Sequence, residues 1–159
     1  MQSTIDLTIS AGGIVYADAG DNRFVLLLCR YDGAWVLPKG SRRVTDASRE
    51  ETAIREVAEE SGLPKHLLLV EDLLDSYTDT THGECKVVSI FKIRYVGGSL
   101  PEPKPDVDHA RAKWWPIPGD LPTMLYPYQT VMLAEFVDAY QKQVAIERGQ
   151  RTNGAGAPR

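Results

Sequence analysis

Three glutamates in the segment 55–63, which reads REVAEESGL, constrain the fold of this chain more than any other feature. Glu56, Glu59 and Glu60 stand at positions i, i+3 and i+4, so they share one side of a helix. The opposite side carries small and apolar residues that can pack on a sheet: Ala47, Ile54, Val57, Ala58 and Ser61. The pattern predicts a helix over residues 47–61 with an acidic face and a packing face.

The acidic face needs a reason, because like charges on one side of a helix repel each other. Arg55 stands four residues from both Glu51 and Glu59, and each such pair contributes about 0.2–0.5 kcal/mol. Glu56 and Glu60 are left without a partner on the helix. Clustered carboxylates are the ligands of hard divalent cations such as Mg²⁺. The alternative is a solvated acidic face, which is the commoner role of a glutamate-rich helix.

The remaining segments predict an α/β fold. The length of 159 residues suits one domain, and 43% hydrophobic and 25% charged residues are typical of a globular protein. The segment 66–79 fits a helix or a strand, and its second half favours a strand. The other predicted elements are strands at 8–17, 23–30, 34–38, 85–96 and 111–117, a loop at 97–108, a helix at 128–144, and a helix end at Gly62.

The end of the chain differs in composition from the rest. Residues 148–159, RGQRTNGAGAPR, contain no apolar residue other than alanine. Such a segment cannot bury enough apolar surface to offset the loss of chain entropy. We therefore predict one domain over residues 1–147 and a disordered tail over 148–159.

Global properties exclude several classes of function. The net charge of -4 is unlike the basic surface of a general nucleic-acid binder. No apolar run approaches the length of about 20 residues that spans a bilayer, and no signal peptide is visible at the start. We expect a cytoplasmic protein without membrane or stable nucleic-acid contacts; secretion after removal of an upstream peptide is the alternative. Cys29 and Cys85 are expected to be reduced, a disulfide being the alternative. The oligomeric state is left open.

The segment 55–63 fits the pattern R-E-U-x-E-E-x-G-U, where U is aliphatic, and thus resembles the second half of the Nudix box, G-x5-E-x7-R-E-U-x-E-E-x-G-U. Gly40 supplies the opening glycine, but fourteen residues separate it from Arg55 where the pattern has thirteen. We take Asp46 as the substitute for the first glutamate, with one residue inserted; counting back from Arg55 would give Ala47. The resemblance covers roughly residues 8–145. It implies a Nudix α/β/α sandwich, with a mixed sheet between two helices.

Membership of this family implies a metal-dependent hydrolase, in which water attacks a phosphorus atom of a diphosphate linkage. The implied cofactor is Mg²⁺ or Mn²⁺. The implied side-chain ligands are Glu56, Glu59 and Glu60, one of which can also act as a base, and a backbone carbonyl near Lys39 or Gly40 completes the set. The resemblance gives Arg55 the role of orienting the glutamates.

A later acid often joins such a site. The segment 108–115, DHARAKWW, resembles the E-H-x-x-x-x-W stretch of dinucleoside tetraphosphate hydrolases, with Asp108 in place of the glutamate. We therefore include Asp108 among the catalytic candidates. The alternative is that Asp108 only begins a strand.

Basic residues near the box predict a substrate with several phosphates. Lys39, Arg42 and Arg43 lie within five residues of one another. A second group shares one face of the predicted strand 85–96 because side chains there alternate with a period of two: Lys86, Lys92 and Arg94. Arg30 completes the set of candidate substrate contacts. The alternative for Arg42 and Arg43 is two solvated loop residues.

Two substrate classes fit this pattern. Diphosphoinositol polyphosphates are favoured, because Ala112 stands where the tetraphosphate hydrolases carry a tyrosine. Dinucleoside polyphosphates, such as diadenosine tetraphosphate or hexaphosphate, and other nucleoside-diphosphate derivatives are the alternative. Tyr126 and Tyr128 can stack on a base or simply pack. A third reading is a non-catalytic Nudix-fold module that binds a phosphorylated ligand; the presence of all three glutamates disfavours it.

Overall fold

The computed structural model describes residues 7–80 and 83–154. Nine helices and strands are assigned within them: β1 (Leu7–Ala19), β2 (Asn22–Arg30), β3 (Trp35–Val36), β4 (Lys39–Ser41), α1 (Arg49–Ser61), β5 (Leu68–Asp79), β6 (Cys85–Tyr95), β7 (His109–Ile117) and α2 (Pro127–Gly154). A single 3₁₀ turn at Lys65–Leu67 joins α1 to β5. Four strands precede α1 and three more lie between α1 and α2, so both predicted helices are present.

The strands form a mixed sheet. Its main path runs β3, β2, β1, β6, β5, while β4 pairs with β1 and β7 pairs with β2. β1 and β6 run parallel, and the other pairs are antiparallel. β1 therefore has β4 beside its first half and β2 beside its last residues, on the side opposite β6.

Each face of the sheet is covered by a helix, which confirms the predicted α/β/α sandwich. The core under α1 joins residues of that helix to β1, β2 and β6: Ala11, Val15, Leu26, Ala53, Val57 and Ile93. The core under α2 includes Ile14, Val25, Leu27, Ile90, Leu133 and Phe136. The face that α1 packs on the sheet includes four residues of the predicted stripe, Ile54, Val57, Ala58 and Ser61, whereas Ala47 precedes the helix and is exposed.

β2 shows why its sequence lacks alternation. Val25, Leu26, Leu27 and Leu28 are all 0% exposed. Successive side chains of a strand point to opposite faces, and both faces of this strand are covered. A continuous apolar run is therefore what this position in the sheet requires.

α1 has defined ends. The side chain of Ser48 accepts a hydrogen bond from the N–H of Glu51, and the helix begins at Arg49 rather than at residue 47. At the other end Gly62 adopts a left-handed conformation with φ of 74° and donates its N–H to Ala58. Glycine accepts this conformation without the steric penalty of a Cβ, so the predicted helix end is confirmed.

Two strands differ from the sequence prediction. β5 is a strand over its whole length, Leu68–Asp79, because it pairs with β6 through two irregularities in register. β4 was not predicted: its three residues, Lys39–Ser41, become a strand only through tertiary pairing with β1. The first outcome depends on the next strand along the chain, and the second depends on β1, much earlier in the sequence.

The end of the chain is also more regular than predicted. α2 continues to Gly154, so residues 148–154 are helical rather than disordered, and residues 155–159 lie outside the described part. Lys142 pairs with Asp138 at 2.9 Å and Gln143 donates to Glu147 at 3.0 Å. Such i,i+4 contacts support a helix without any buried face. The domain boundary at residue 147 stays a prediction.

We expect Gly12→Ala to destabilise the fold. A Cβ at Gly12 would lie 2.0 Å from the carbonyl oxygen of Pro38, where β4 approaches β1. Overpacking of this kind costs about 1–3 kcal/mol. Urea unfolding monitored by circular dichroism measures the change. Gly98→Ala is the matched control, because a Cβ at Gly98 meets nothing within 4 Å; equal stability of the two variants would contradict the close approach of β4.

Candidate active site

Arg55 connects the elements of the candidate site. Its side chain is 8% exposed, and all five N–H groups of the guanidinium are used. Nε and Nη2 donate to the carboxylate of Asp46 at 3.0 and 2.8 Å, and Nη2 also donates to the carbonyl of Ser41 at 2.8 Å. Nη1 donates to Glu56 at 2.8 Å and to Glu59 at 3.3 Å. One buried cation therefore holds the preceding loop and two of the three glutamates.

Asp46 is the acid that contacts Arg55, as the sequence predicted. It is 5% exposed and also accepts the backbone N–H of Arg43 at 2.8 Å. The hydrogen bonds from Arg55, followed by that from Arg43, hold the pKa of Asp46 well below its usual range. Ala47, the other residue in question, donates its N–H to Glu51 instead. The loop thus accommodates the inserted residue while keeping a carboxylate against Arg55.

Glu56 and Glu60 meet the backbone of β4. Oε2 of Glu60 accepts the N–H of Lys39 at 3.2 Å. The carboxyl group of Glu56 lies against Gly40, where a Cβ would be 2.2 Å from its carboxyl carbon. A Cβ at this position would displace the Glu56 carboxyl group. The structure therefore brings these two glutamates to the Lys39–Gly40 backbone at which the sequence predicted a further metal ligand.

Glu60 is an acid in a costly position for a negative charge. Its burial, helped by the nearby charges of Glu56 and Asp106, raises its pKa to about 9, although the hydrogen bond from Lys39 acts in the opposite direction. Burial also lowers the pKa of the Lys39 side chain, despite the acids around it. A carboxyl group in this environment ionises readily only beside a compensating cation. The site is thus chemically suited to a metal ion.

Glu59 and Arg43 bind each other. Nη1 and Nη2 of Arg43 lie 3.0 and 3.5 Å from the two carboxylate oxygens of Glu59. These side chains are 59% and 41% exposed, and exposed ion pairs contribute about 0–1 kcal/mol. Glu59 was predicted as a metal ligand and Arg43 as a substrate contact. In the structure each has a partner that a metal or a phosphate can displace at small cost.

Lys92 and Arg94 lie elsewhere. Nε of Arg94 donates to the Tyr16 hydroxyl at 2.9 Å, and its Nη2 lies 3.4 Å from Glu71. Lys92 Nζ is 5.4 Å from the centre of the Tyr16 ring, which belongs to the core under α2. The two cations do share one face, as predicted, but they occupy the opposite half of β6 from Lys86. The structure therefore does not bring them to the glutamates of α1.

Arg42 and Arg30 are the remaining cations that were predicted to contact the substrate. Nη2 of Arg42 donates to the carbonyl of Asp46 at 3.3 Å, so this side chain supports the loop before α1. Arg30 pairs with Asp32 at 3.1 Å, and it stands at the end of β2 opposite His109 of β7. Both stay candidates for substrate contact.

The loop between β6 and β7 follows the end of α1. The N–H of Lys104 donates to the carbonyl of Ser61 at 2.7 Å, and the N–H of Asp106 donates to the carbonyl of Glu60 at 3.3 Å. These bonds satisfy carbonyl groups that the end of a helix leaves unpaired. The loop thereby brings Asp106 beside Glu60.

Asp106, rather than Asp108, is the late acid whose charge acts on Glu60. Oδ1 of Asp106 lies 2.6 Å from Nδ1 of His109 and accepts the N–H of Asp108 at 3.2 Å. The side chain of Asp108 is exposed and makes no hydrogen bond within residues 7–80 and 83–154. The resemblance of the segment DHARAKWW indicated Asp108. Nothing in the sequence indicated Asp106 except that it stands two residues before Asp108.

Aromatic residues stand next to Lys39. Its Nζ lies 5.0 Å from the centre of the Tyr126 ring. Tyr77 and Tyr128 are stacked, with ring centres 5.2 Å apart and an angle of 9° between the rings. Tyr77 is buried and its hydroxyl accepts a hydrogen bond from Gln129, whereas Tyr128 is 60% exposed. Tyr128 therefore packs on Tyr77 while much of its side chain stays exposed, and stacking on a base stays a prediction.

The donor set fits a metal that prefers oxygen. Across the described ranges, no three His, Cys, Asp or Glu side chains converge closely enough to hold an ion by themselves. Mg²⁺ commonly uses one or two carboxylates together with waters and substrate phosphates, so a partial set is sufficient. Glu56 and Glu60 are the carboxylates at the Lys39–Gly40 backbone, and the nearby charge of Lys39 offsets only part of the effect of burial on Glu60. Both cysteines are free, as expected, and stand outside this set.

Comparison with known proteins identifies the family of this chain. The NUDIX domain family matches residues 6–136, and the chain belongs to this family. A Mycobacterium tuberculosis protein (strain CDC 1551 / Oshkosh) that bears the name MutT4 is 35% identical over 138 residues, which are 81% of this chain and 54% of the relative. The chain thus spans about half the length of that relative.

Solved structures share the fold. An Ap4A hydrolase of C. elegans superposes with a TM-score of 0.71 at 21% identity, covering 86% of this chain and 98% of the other. The NUDIX domain of Shewanella oneidensis NrtR, solved with ADP ribose, gives 0.61 at 18% identity, covering 81% and 87%. No helix within the described residues is long and apolar enough to cross a membrane.

We expect Asp46→Asn to lower the melting temperature by several degrees near neutral pH and to flatten its acid dependence. The folded pKa of Asp46 lies below the unfolded value of about 3.9. Its contribution is therefore fully present above the unfolded pKa and is lost as the pH falls towards the folded value. Thermal unfolding between about pH 3 and 7 measures this. Asp32→Asn, in an exposed pair, is the control; equal effects would contradict a central role for the buried pair.

Proposed function

We propose that this protein is a Mg²⁺- or Mn²⁺-dependent hydrolase of phosphoanhydride bonds. The observation that carries the proposal is the position of Glu56 and Glu60 against the Lys39–Gly40 backbone. This arrangement offers clustered oxygen ligands at a site that Arg55 keeps in place. Family membership supports the same reaction class.

Each residue of the site has its own role in this proposal. Glu56 and Glu60 would hold the metal, with a backbone carbonyl at Lys39 or Gly40 as a further oxygen ligand. Arg55 keeps Glu56 directed to β4 and prevents it from turning into solvent. Glu59 could serve as a further ligand if Arg43 released it, and Arg43 would then be free to bind a phosphate. A bound divalent ion neutralises phosphate oxygens and lowers the pKa of water.

For the substrate we propose a dinucleoside polyphosphate, in preference to a diphosphoinositol polyphosphate. A diphosphoinositol polyphosphate would need several cations that are free to bind its phosphates. Arg94 pairs with Glu71 and Arg43 with Glu59, so much of that positive charge is compensated within the protein. Diphosphoinositol polyphosphates stay a prediction that a substrate panel tests directly.

Aromatic side chains support a substrate that contains a base. The ring of Tyr126 stands beside Lys39, whose backbone contacts Glu60, and the exposed Tyr128 follows two residues later in the chain. A planar base can stack on such a surface with a gain of about 1–3 kcal/mol. The structural neighbour that is an Ap4A hydrolase agrees with this substrate class, although its 21% identity speaks for the fold alone.

A binding module is the second candidate. One structural neighbour is a NUDIX domain solved with ADP ribose, so this fold can hold a nucleotide ligand. Binding of nucleoside polyphosphates without any metal-dependent cleavage would favour this candidate over the hydrolase.

We expect Glu60→Gln and Glu56→Gln to lower kcat by at least about a hundredfold, because an amide keeps the shape of the side chain but binds a metal weakly. Hydrolysis of diadenosine tetraphosphate at saturating Mg²⁺, followed by release of nucleotide products, measures the loss. Glu50→Gln is the control, since this glutamate is exposed in the first turn of α1. Full activity of both site variants, with intact unfolding transitions, would exclude this metal site.

We expect Tyr128→Ala to lower kcat/KM for diadenosine tetraphosphate by about tenfold, which is the loss of one stacking contact. Cleavage of a diphosphoinositol polyphosphate should be unchanged, because that substrate has no base. The complementary variant Arg42→Ala/Arg43→Ala removes positive charge from the loop. A wild-type preference for the inositol substrate, abolished by the arginine variant and insensitive to Tyr128→Ala, would reverse the proposed choice of substrate.

A further inference from the structure

The loop that carries Asp106 is fixed at both ends of its path along α1. The N–H of Asp106 donates to the carbonyl of Glu60 at 3.3 Å, so the loop is bonded to the residue that bears the buried carboxylate. Earlier in the loop, the carbonyl of Pro101 accepts the indole N–H of Trp114 from β7 at 3.0 Å, and Pro103 is buried. The main chain around Asp106 is therefore held in place relative to α1.

The carboxylate of Asp106 is held as well. Oδ1 has two donors, Nδ1 of His109 at 2.6 Å and the N–H of Asp108 at 3.2 Å. Oδ2 has no hydrogen bond within residues 7–80 and 83–154. The side chains of His109 and Asp106 are 12% and 25% exposed, so solvent competes only partly for this contact. Two donors on one oxygen restrict rotation of the carboxylate, which fixes the direction of the other oxygen.

We propose that His109 is a positioning residue: it holds the Asp106 carboxylate so that Oδ2 accepts a hydrogen bond from the water that attacks phosphorus. This inference rests on the proposed hydrolase function and adds a residue pair to the same site. Hydrogen bonding to Oδ2 orients the water, and no proton has to move to Asp106 for this role. His109 must carry its proton on Nδ1 to donate to Oδ1, so the pair also specifies a tautomer.

Kinetics with matched variants test the role. Asp106→Ala is expected to lower kcat by about tenfold or more with little change in KM, because a misplaced water affects the reaction and not substrate binding. His109→Ala should act in the same direction. His109→Asn should recover most of the lost kcat, because its amide nitrogen can replace Nδ1 as donor. Glu102→Gln, an exposed carboxylate in the same loop, and His66→Ala, an exposed histidine, are the controls.

A double variant separates positioning from general stability. If His109 acts through Asp106, Asp106→Ala/His109→Ala should be no slower than Asp106→Ala alone. Additive losses in the double variant, failure of His109→Asn to recover activity, or a larger kcat loss in Asp108→Asn than in Asp106→Ala would each overturn the proposal. Thermal unfolding of every variant checks that the fold is intact.

The tautomer provides a readout that does not depend on activity. In the metal-free protein, long-range ¹H–¹⁵N correlation of the imidazoles should show His109 with its proton on Nδ1, and this preference should be lost in Asp106→Ala. A neutral His109 whose only proton lies on Nε2 in the wild-type protein would overturn the proposal. If the wild-type protein cleaves no polyphosphate, the hydrolase proposal fails, while this spectrum still decides whether the His109–Asp106 bond exists.

Discussion

The buried guanidinium of Arg55 is the interaction on which the rest of the site depends. It bonds to the loop before α1 through Asp46 and Ser41, and to the acidic face of the helix through Glu56 and Glu59. A buried cation is tolerated only when its donors are satisfied, so these contacts form together. The acids on α1 repel one another, and Arg55 compensates part of that repulsion. The same cation thereby stabilises the loop and keeps negative charge at the surface where a metal is needed.

The sequence predicted those parts of the structure that depend on local pattern. The helix, its end at Gly62, the buried strand β2 and the Arg55–Asp46 contact follow from periodicity, backbone preference and the motif. β4 could not be found, since three residues become a strand only by pairing with β1. Asp106 was missed for a similar reason: its place beside Glu60 arises from a loop that follows the end of α1. The helical residues 148–154 show that absence of apolar residues does not imply absence of structure.

Charge counts in a sequence do not reveal which charges are free. Three cations surround Tyr16 under α2: the Arg23 guanidinium lies 4.3 Å from its ring centre, and Lys92 and Arg94 lie 5.4 and 5.5 Å from it. Arg23 is 6% exposed and bonds to Asp18, while the Tyr16 hydroxyl donates to Glu71. The cluster is a polar contact beside the core under α2, in which Arg23 is buried and the side chain of Arg94 is 45% exposed.

The parallel pairing of β1 with β6 has a consequence for how the molecule assembles. Ten residues of β1, Leu7–Tyr16, face partners in β6 that are 78 positions later in the chain. Closing so long a loop loses chain entropy before the contacts compensate, and folds rich in such contacts form slowly. β2 and α1 follow β1 closely in the sequence. The second edge of β1, however, cannot form its hydrogen bonds until β6 has been synthesised. During synthesis, an incomplete chain therefore exposes this apolar strand, and the period before β6 emerges is when association with other chains is most favoured.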